Sequence, residues 1–183
     1  MSRQRVVVDV ETNGLDPDVH QAFEVAWFNL DTAEHGDFIL VHNISELLGS
    51  ADPEALRINR YIDRIPGQIQ DGGALHRLHQ ELRGNTLVGS NPAFDAAFLV
   101  KAFKAKTSVT ESRPWHHRLW DVSAYAAGVL GLEELPGLYA ICAQLGVEPP
   151  THTATDDVRA TVECIRELEY IVRQRADQKV EAA

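Results

Sequence analysis

An α/β fold built on one mixed sheet is the architecture this sequence predicts. Three β-patterned segments open the chain in succession, later strands alternate with helical patterns, and Gly, Pro, Asn and Asp clusters punctuate the joins. Strands in a row form antiparallel meanders, whereas strands separated by helices join a sheet in parallel. With 183 residues and 44% hydrophobic content, the chain suits one core. A single domain is expected over residues 1–175, with a charged, frayed tail over residues 176–183.

Arg5 to Val10 is a short apolar run that reads as a buried first strand, stopped by the turn signals Asn13-Gly14 and Asp16-Pro17. Phe23 to Leu30 and Asp37 to Val41 read as the next two strands, joined by a polar turn containing Gly36. Helical patterns cover Asp52 to Tyr61 and Gly73 to Arg83. Thr86 to Ser90 forms a fourth strand, and Asn91-Pro92 caps and opens a helix that runs to Lys104. Arg118 to Asp121 is the fifth strand, with helices over Val122 to Leu130 and Leu138 to Leu145. Pro149-Pro150 breaks the chain before a last helix that starts at Thr153 or Thr155 and passes Ile171.

No run approaches the ~18 consecutive apolar residues of a membrane span, and the N-terminus lacks a secretory pattern. A soluble, cytoplasmic protein without a membrane partner is expected. Cys142 and Cys164 lie in amphipathic patterns without C-x-x-C spacing and read as reduced core thiols. The net charge of −10 argues at first sight against nucleic acid, whose non-specific binding rests on Lys and Arg. Carboxylates gathered around bound cations reverse that local field, however. Lys101, Lys104, Lys106, Arg113 and Arg118 also oppose Glu111 alone in one segment, which reads either as a phosphate-facing strip or as a solvated helix end and loop.

Three groups of residues suggest chemistry. Asp9 and Glu11, at i and i+2 of a strand, project to the same side where the apolar run ends. Buried without partners they would be costly, and a hard cation bound by oxygen is one standard compensation; the plainer reading is a solvated strand end. Asp95 falls in the first turn of the helix opened by Pro92, on the stripe of Phe98, Leu99 and Ala102 that faces the sheet. In His152-Thr153-Ala154-Thr155-Asp156-Asp157, the helix register carries Asp157 inward with Thr161, Cys164 and Leu168. Asp156 turns outward with Ala160, Glu163 and Glu167, while His152 sits at the helix entry.

The segments Val8-Asp9-Val10-Glu11-Thr12-Asn13-Gly14-Leu15, Asn91-Pro92-Ala93-Phe94-Asp95 and His152 with Asp157 five residues on together resemble the three motifs of the DEDDh branch of the DnaQ-like exonucleases, which includes polymerase-proofreading subunits and RNase T. Glu24-Val25-Ala26, Pro53-Glu54-Ala55-Leu56 and Trp120-Asp121 are similar to weaker parts of the pattern. The sequence departs from it at Ser90, where many relatives carry histidine, and at Asn13, where threonine is frequent. The resemblance implies an RNase H-like five-stranded sheet of order 3-2-1-4-5 with strand 2 antiparallel. It also implies 3′→5′ exonuclease activity on nucleic-acid ends.

By the same resemblance, Asp9, Glu11, Asp95 and Asp157 would hold two Mg²⁺ ions, with Mn²⁺ able to substitute, and His152 would be the general base. Thr12, Gly14, Leu15, Asn91 and Phe94 would contact the substrate end, with Leu15 wedged against the terminal base. Single-stranded DNA 3′ ends come first as substrate and RNA ends second, and a DNA polymerase is a candidate partner. A non-catalytic nucleic-acid-binding module of the same fold is the rival reading.

Overall fold

The computed structural model describes residues 2–40, 42–64, 73–107 and 110–181. Its five strands are β1 (Arg5–Thr12), β2 (Ala22–Asn29), β3 (His35–Ile39), β4 (Thr86–Gly89) and β5 (Trp120–Asp121). They form one sheet of order β3-β2-β1-β4-β5, in which β2 is antiparallel to both its neighbours while β4 and β5 join in parallel. The expected order and directions agree with this RNase H-like arrangement. Among the described residues, no helix is long and apolar enough to cross a membrane.

Side-chain alternation along β1 builds two cores, since successive residues of a strand face opposite ways. Val6, Val8 and Val10 pack with Leu78, Leu82, Phe98, Leu99 and Phe103, under α4 (Ala74–Leu82) and α5 (Pro92–Lys106). On the other face, Val7 meets Val122, Ile141, Ile165 and Leu168, from α6 (Val122–Leu130), α7 (Leu138–Leu145) and α8 (Ala154–Glu181). Asp9 and Glu11 continue the face of Val7, so the strand's own pleat aims them at α8.

Several expected boundaries need correcting. The pattern over Asp52 to Tyr61 divides into α2 (Pro53–Ile58) and α3 (Tyr61–Arg64), because Arg60 adopts φ 52° and interrupts the ladder. A further short helix, α1 (Ile44–Gly49), precedes them, capped by the Asn43 side chain, which accepts from Ser45 and Glu46 N–H. Gly36 lies inside β3, not in the turn. It faces Trp27, whose indole takes the space a Cβ would need, with Nε1 2.9 Å from that position. The expected end of that strand, Val41, lies outside the described residues. The last helix takes in residues 176–181 of the expected tail: α8 runs unbroken through Glu181, 28 residues or about 42 Å at 1.5 Å per residue. Cys142 and Cys164 are free, fully buried and 3.6 Å apart between α7 and α8.

Candidate active site

β4 ends at Gly89 while β1 continues, so the β1 N–H groups beyond that point have, among the described residues, no strand partner on that side. The Asp95 carboxylate takes that place: its Oδ1 accepts from Val10 N–H at 3.0 Å. Asp95 is only 4% exposed, in the first turn of α5, where the helix dipole favours an anion. Asn91 stands before this helix at φ 59°, and its side chain makes no capping bond. Its N–H donates weakly to Asp121 at 3.4 Å.

On the opposite face, α8 begins where Asp156 N–H donates to the Thr153 hydroxyl and Asp157 N–H to the Thr153 carbonyl. The two aspartates separate as their register indicates. Asp156 accepts from Thr151 and Arg159 near the surface, whereas Asp157 is 8% exposed and points to β1. Asp9, Glu11 and Asp157 each bring a carboxylate oxygen within 4.8 Å of the others. These three and Asp95 line one cavity of about 250 Å³, together with Ser90, Asn91, Phe94, Tyr139 and His152.

Burial and mutual repulsion penalise the charged forms. Desolvation, then Asp95, Asp157, Glu11 and Glu24, pushes the Asp9 pKa well above the usual carboxylate range. Glu11 is raised to about 8 by desolvation, then by Asp157 and Glu24, with Arg64 opposing the rise. Asp157 is raised to about 7 by desolvation, then by Asp156 and Glu24. Asp95 is also raised, chiefly by desolvation, against the lowering effect of the Val10 N–H. An all-oxygen donor set fits hard divalent cations such as Mg²⁺ or Mn²⁺, and their positive charge would favour the ionised carboxylates that burial disfavours.

His152 has φ 58° and is exposed at the rim of the cavity, its ring 5.5 Å from that of Tyr139. Tyr139 donates in turn to the Pro150 carbonyl at 2.5 Å. Tyr139 escaped the sequence reading because its partners lie across a loop with no periodic signal. Arg64 escaped it too. Its guanidinium holds Glu24 at 2.9 Å, donates to the Asn59 carbonyl, and reaches the His152 carbonyl at 3.5 Å. Glu24 faces Glu11 across β1 and β2, so Arg64 neutralises a fifth carboxylate beside the cluster. The motif Glu24-Val25-Ala26 was the only trace of this pair.

The residues expected to meet substrate fall into two groups. Asn91 and Phe94 line the cavity, and Leu15 stands 76% exposed on the β1–β2 turn, outside the core. Thr12 is 7% exposed, and its hydroxyl donates to the Gly14 carbonyl at 2.7 Å. Gly14 is required locally, since a Cβ there would collide with the His20 imidazole. Asn13 is fully buried and joins this turn to α1: its amide donates to the Leu47 carbonyl and its oxygen accepts from Gln21 N–H. Ser90 lies at the cavity wall, 3.4 Å from the Ser123 hydroxyl.

The family model described as exonuclease (RNase_T) matches residues 6–165. The chain is 27% identical over 180 aligned positions to ribonuclease T of Blochmanniella pennsylvanica (strain BPEN), covering 89% of this chain and 82% of that protein. It is 30% identical over 184 positions to ribonuclease T of Baumannia cicadellinicola subsp. Homalodisca coagulata, with the same coverage. Among solved structures, the zinc-bound form of the E. coli exonuclease I–ssDNA complex shares the fold, at a TM-score of 0.70 and 19% identity, over 99% of this chain and 44% of that one. The chain therefore spans less than half the length of exonuclease I.

Proposed function

Since the chain belongs to the exonuclease (RNase_T) family and is a DnaQ-like 3′→5′ exonuclease, we propose that it removes nucleotides from single-stranded or frayed 3′ ends of DNA by a two-metal-ion mechanism with His152 as general base. The observation that supports this reading is the convergence of Asp9, Glu11 and Asp157 on one point, with Asp95 in the same cavity. Four acids that have, among the described residues, no cationic partner of their own suit a site built for cations and phosphate, not a binding surface for an anionic strand alone. That weighs against the non-catalytic module.

Asp9, Glu11 and Asp157 would together hold one cation, and Asp95, in the same cavity, would help to hold the second. Bound there, the cations would offset charge on the phosphoryl oxygen and on both the attacking and the departing oxygen. A ring nitrogen of His152 would take the proton of the attacking water, for which its place at the rim, open to solvent, is suited. The Val10 N–H holds Asp95 in one orientation, so that carboxylate need not reorganise when substrate arrives. Phe94 and Leu15 offer apolar surfaces for the terminal bases, since every base presents a π-face for stacking.

A second reading takes RNA ends as the substrate, favoured by the ribonuclease T name of both relatives. Digestion of matched 5′-labelled single-stranded DNA, duplex DNA and RNA tests both, with Mg²⁺, Mn²⁺ or chelator, and Asp9→Ala as control. A ladder that shortens from the 3′ end of single-stranded DNA first is expected. Faster shortening of RNA selects the second reading, and cleavage that persists in chelator or in the Asp9 variant overturns the metal mechanism.

A further inference from the structure

Three of the chain's four lysines, Lys101, Lys104 and Lys106, sit in the last two turns of α5, in a protein of net charge −10. The helix dipole accounts for cations in a last turn, but it does not account for where they lead. Phe94, Ala97, Lys101 and Lys104 follow one another at spacings of three and four, so they share one face of α5. Phe94 lines the carboxylate cavity. Ala97, Lys101 and Lys104 line a second, open groove of about 570 Å³ farther along the helix, with Arg113 also on its wall. One helix face thus leads from the acidic cluster into a basic channel.

The cations in this channel differ in their duties. Lys101 Nζ donates to the Pro17 and His20 carbonyls, each at 2.8 Å, and so fastens the Leu15 turn to α5. Lys104 and Arg113 are exposed and, among the described residues, have no ion pair or hydrogen bond. Asp18, the one acid in the wall, comes from the turn that Lys101 holds.

We propose that this groove carries the 5′ side of the substrate strand, with Lys104 and Arg113 pairing its backbone phosphates upstream of the scissile bond. The proposal rests on the nuclease reading above and adds a binding track to it. Phe94 to Lys104 is ten residues, about 15 Å of helix. At ~3.4 Å per nucleotide of a stacked strand, this spans about four nucleotides, and fewer if the strand is extended. Oligonucleotides too short to reach the groove should therefore bind without it.

The test uses 5′-labelled oligodeoxynucleotides of 2 to 12 nucleotides, with turnover measured in Mg²⁺ and binding measured by anisotropy in chelator, across a salt series. For wild type, KM and Kd should fall with length up to about five nucleotides and then level off. Lys104→Gln and Arg113→Gln should each raise KM several-fold on a decamer and leave the dinucleotide unchanged. Each should also flatten the slope of log Kd against log salt by about 0.7, the value for one phosphate contact on a single strand. Lys104→Arg should restore both. Melting temperatures equal to wild type would show that the fold is intact.

Equal salt slopes in wild type and the double variant, or a dinucleotide KM that rises as much as the decamer's, would overturn the groove. If wild type digests no 3′ end but binding still depends on Lys104 and Arg113, the nuclease reading fails and the nucleic-acid groove stands. Digestion with groove-independent binding is the reverse outcome, and absence of both digestion and binding overturns the two together.

Discussion

The backbone N–H of Val10 donates to Oδ1 of Asp95 at 3.0 Å, joining the first strand to the first turn of α5 across 85 residues of chain. One carboxylate thereby satisfies a β1 N–H beyond the end of β4 and stands in the cavity of the acidic cluster. The two duties separate by mutation. Asp95→Asn keeps an oxygen acceptor and removes the charge, so activity should fall by about 10²- to 10³-fold, the usual cost of removing a preorganised electrostatic group. Its metal-free stability should be at least that of wild type. Asp95→Ala should lose activity and also about 1–3 kcal/mol, the cost of an unsatisfied buried donor. Urea unfolding in chelator distinguishes them, and equal stability of the two variants would deny the hydrogen bond its role.

Metal-free stability should fall as pH rises. Glu11 and Asp157 have folded-state pKa values of about 8 and about 7, above their ordinary values near 4. Between those limits the folded protein holds protons that the unfolded chain has released, so the stability present below pH ~4 is lost as pH climbs through 7 and 8. In chelator, the melting temperature should drop between pH 5 and 8.5. Mg²⁺ should raise it more at pH 8 than at pH 5.5, because the ligands bind ions only when deprotonated. A Mg²⁺ effect independent of pH would contradict this account.

Replacing His152 with Ala should slow turnover by about 10²- to 10⁴-fold and leave the Mn²⁺-induced thermal shift unchanged, since the imidazole lies at the rim and outside the group of three converging carboxylates. Unchanged turnover would remove His152 from the chemistry.

Arg64 should prove structural and electrostatic at once. Its pair with Glu24 is mostly buried, at 20% and 11% side-chain exposure. Arg64→Met should therefore destabilise by an amount near the lower end of the ~3–5 kcal/mol seen when one partner of a buried pair is lost. Adding Glu24→Gln should recover most of that loss. A double-mutant cycle with no coupling would show that the pair is incidental.

Leu15→Ala should raise KM for single-stranded ends without lowering the melting temperature. The side chain is 76% exposed, and surface substitutions of this kind usually stay within ±0.5 kcal/mol. A thermal defect with unchanged KM would place Leu15 in packing instead.

Local rules made much of this architecture legible. Period-2 alternation put Asp9 and Glu11 on one face, and helix register chose Asp157 over Asp156, whose carboxylate binds Thr151 and Arg159 outside the cluster. The face of Phe98 and Leu99 placed Asp95 inward. Features set by tertiary encounters were not legible. Nothing near Arg64 announces that it will meet Glu24, 40 residues away, and no spacing brings Cys142 to Cys164. The signal Asn13-Gly14 marks a turn after Thr12 but does not specify the backbone geometry that lets the Thr12 hydroxyl donate to the Gly14 carbonyl. The division at Arg60 depends on a positive φ that no propensity foretells for arginine.

The unbroken α8 offers a molecular ruler. Its N-terminal turn carries Asp157, and its exposed last turns carry Gln178, 21 residues on, or about 32 Å along the axis. Since both native thiols are buried, a maleimide dye placed through Gln178→Cys would couple at that site alone. Energy transfer from an oligonucleotide labelled at its 5′ end would then report, for each length of strand, where its far end lies relative to the acidic cluster.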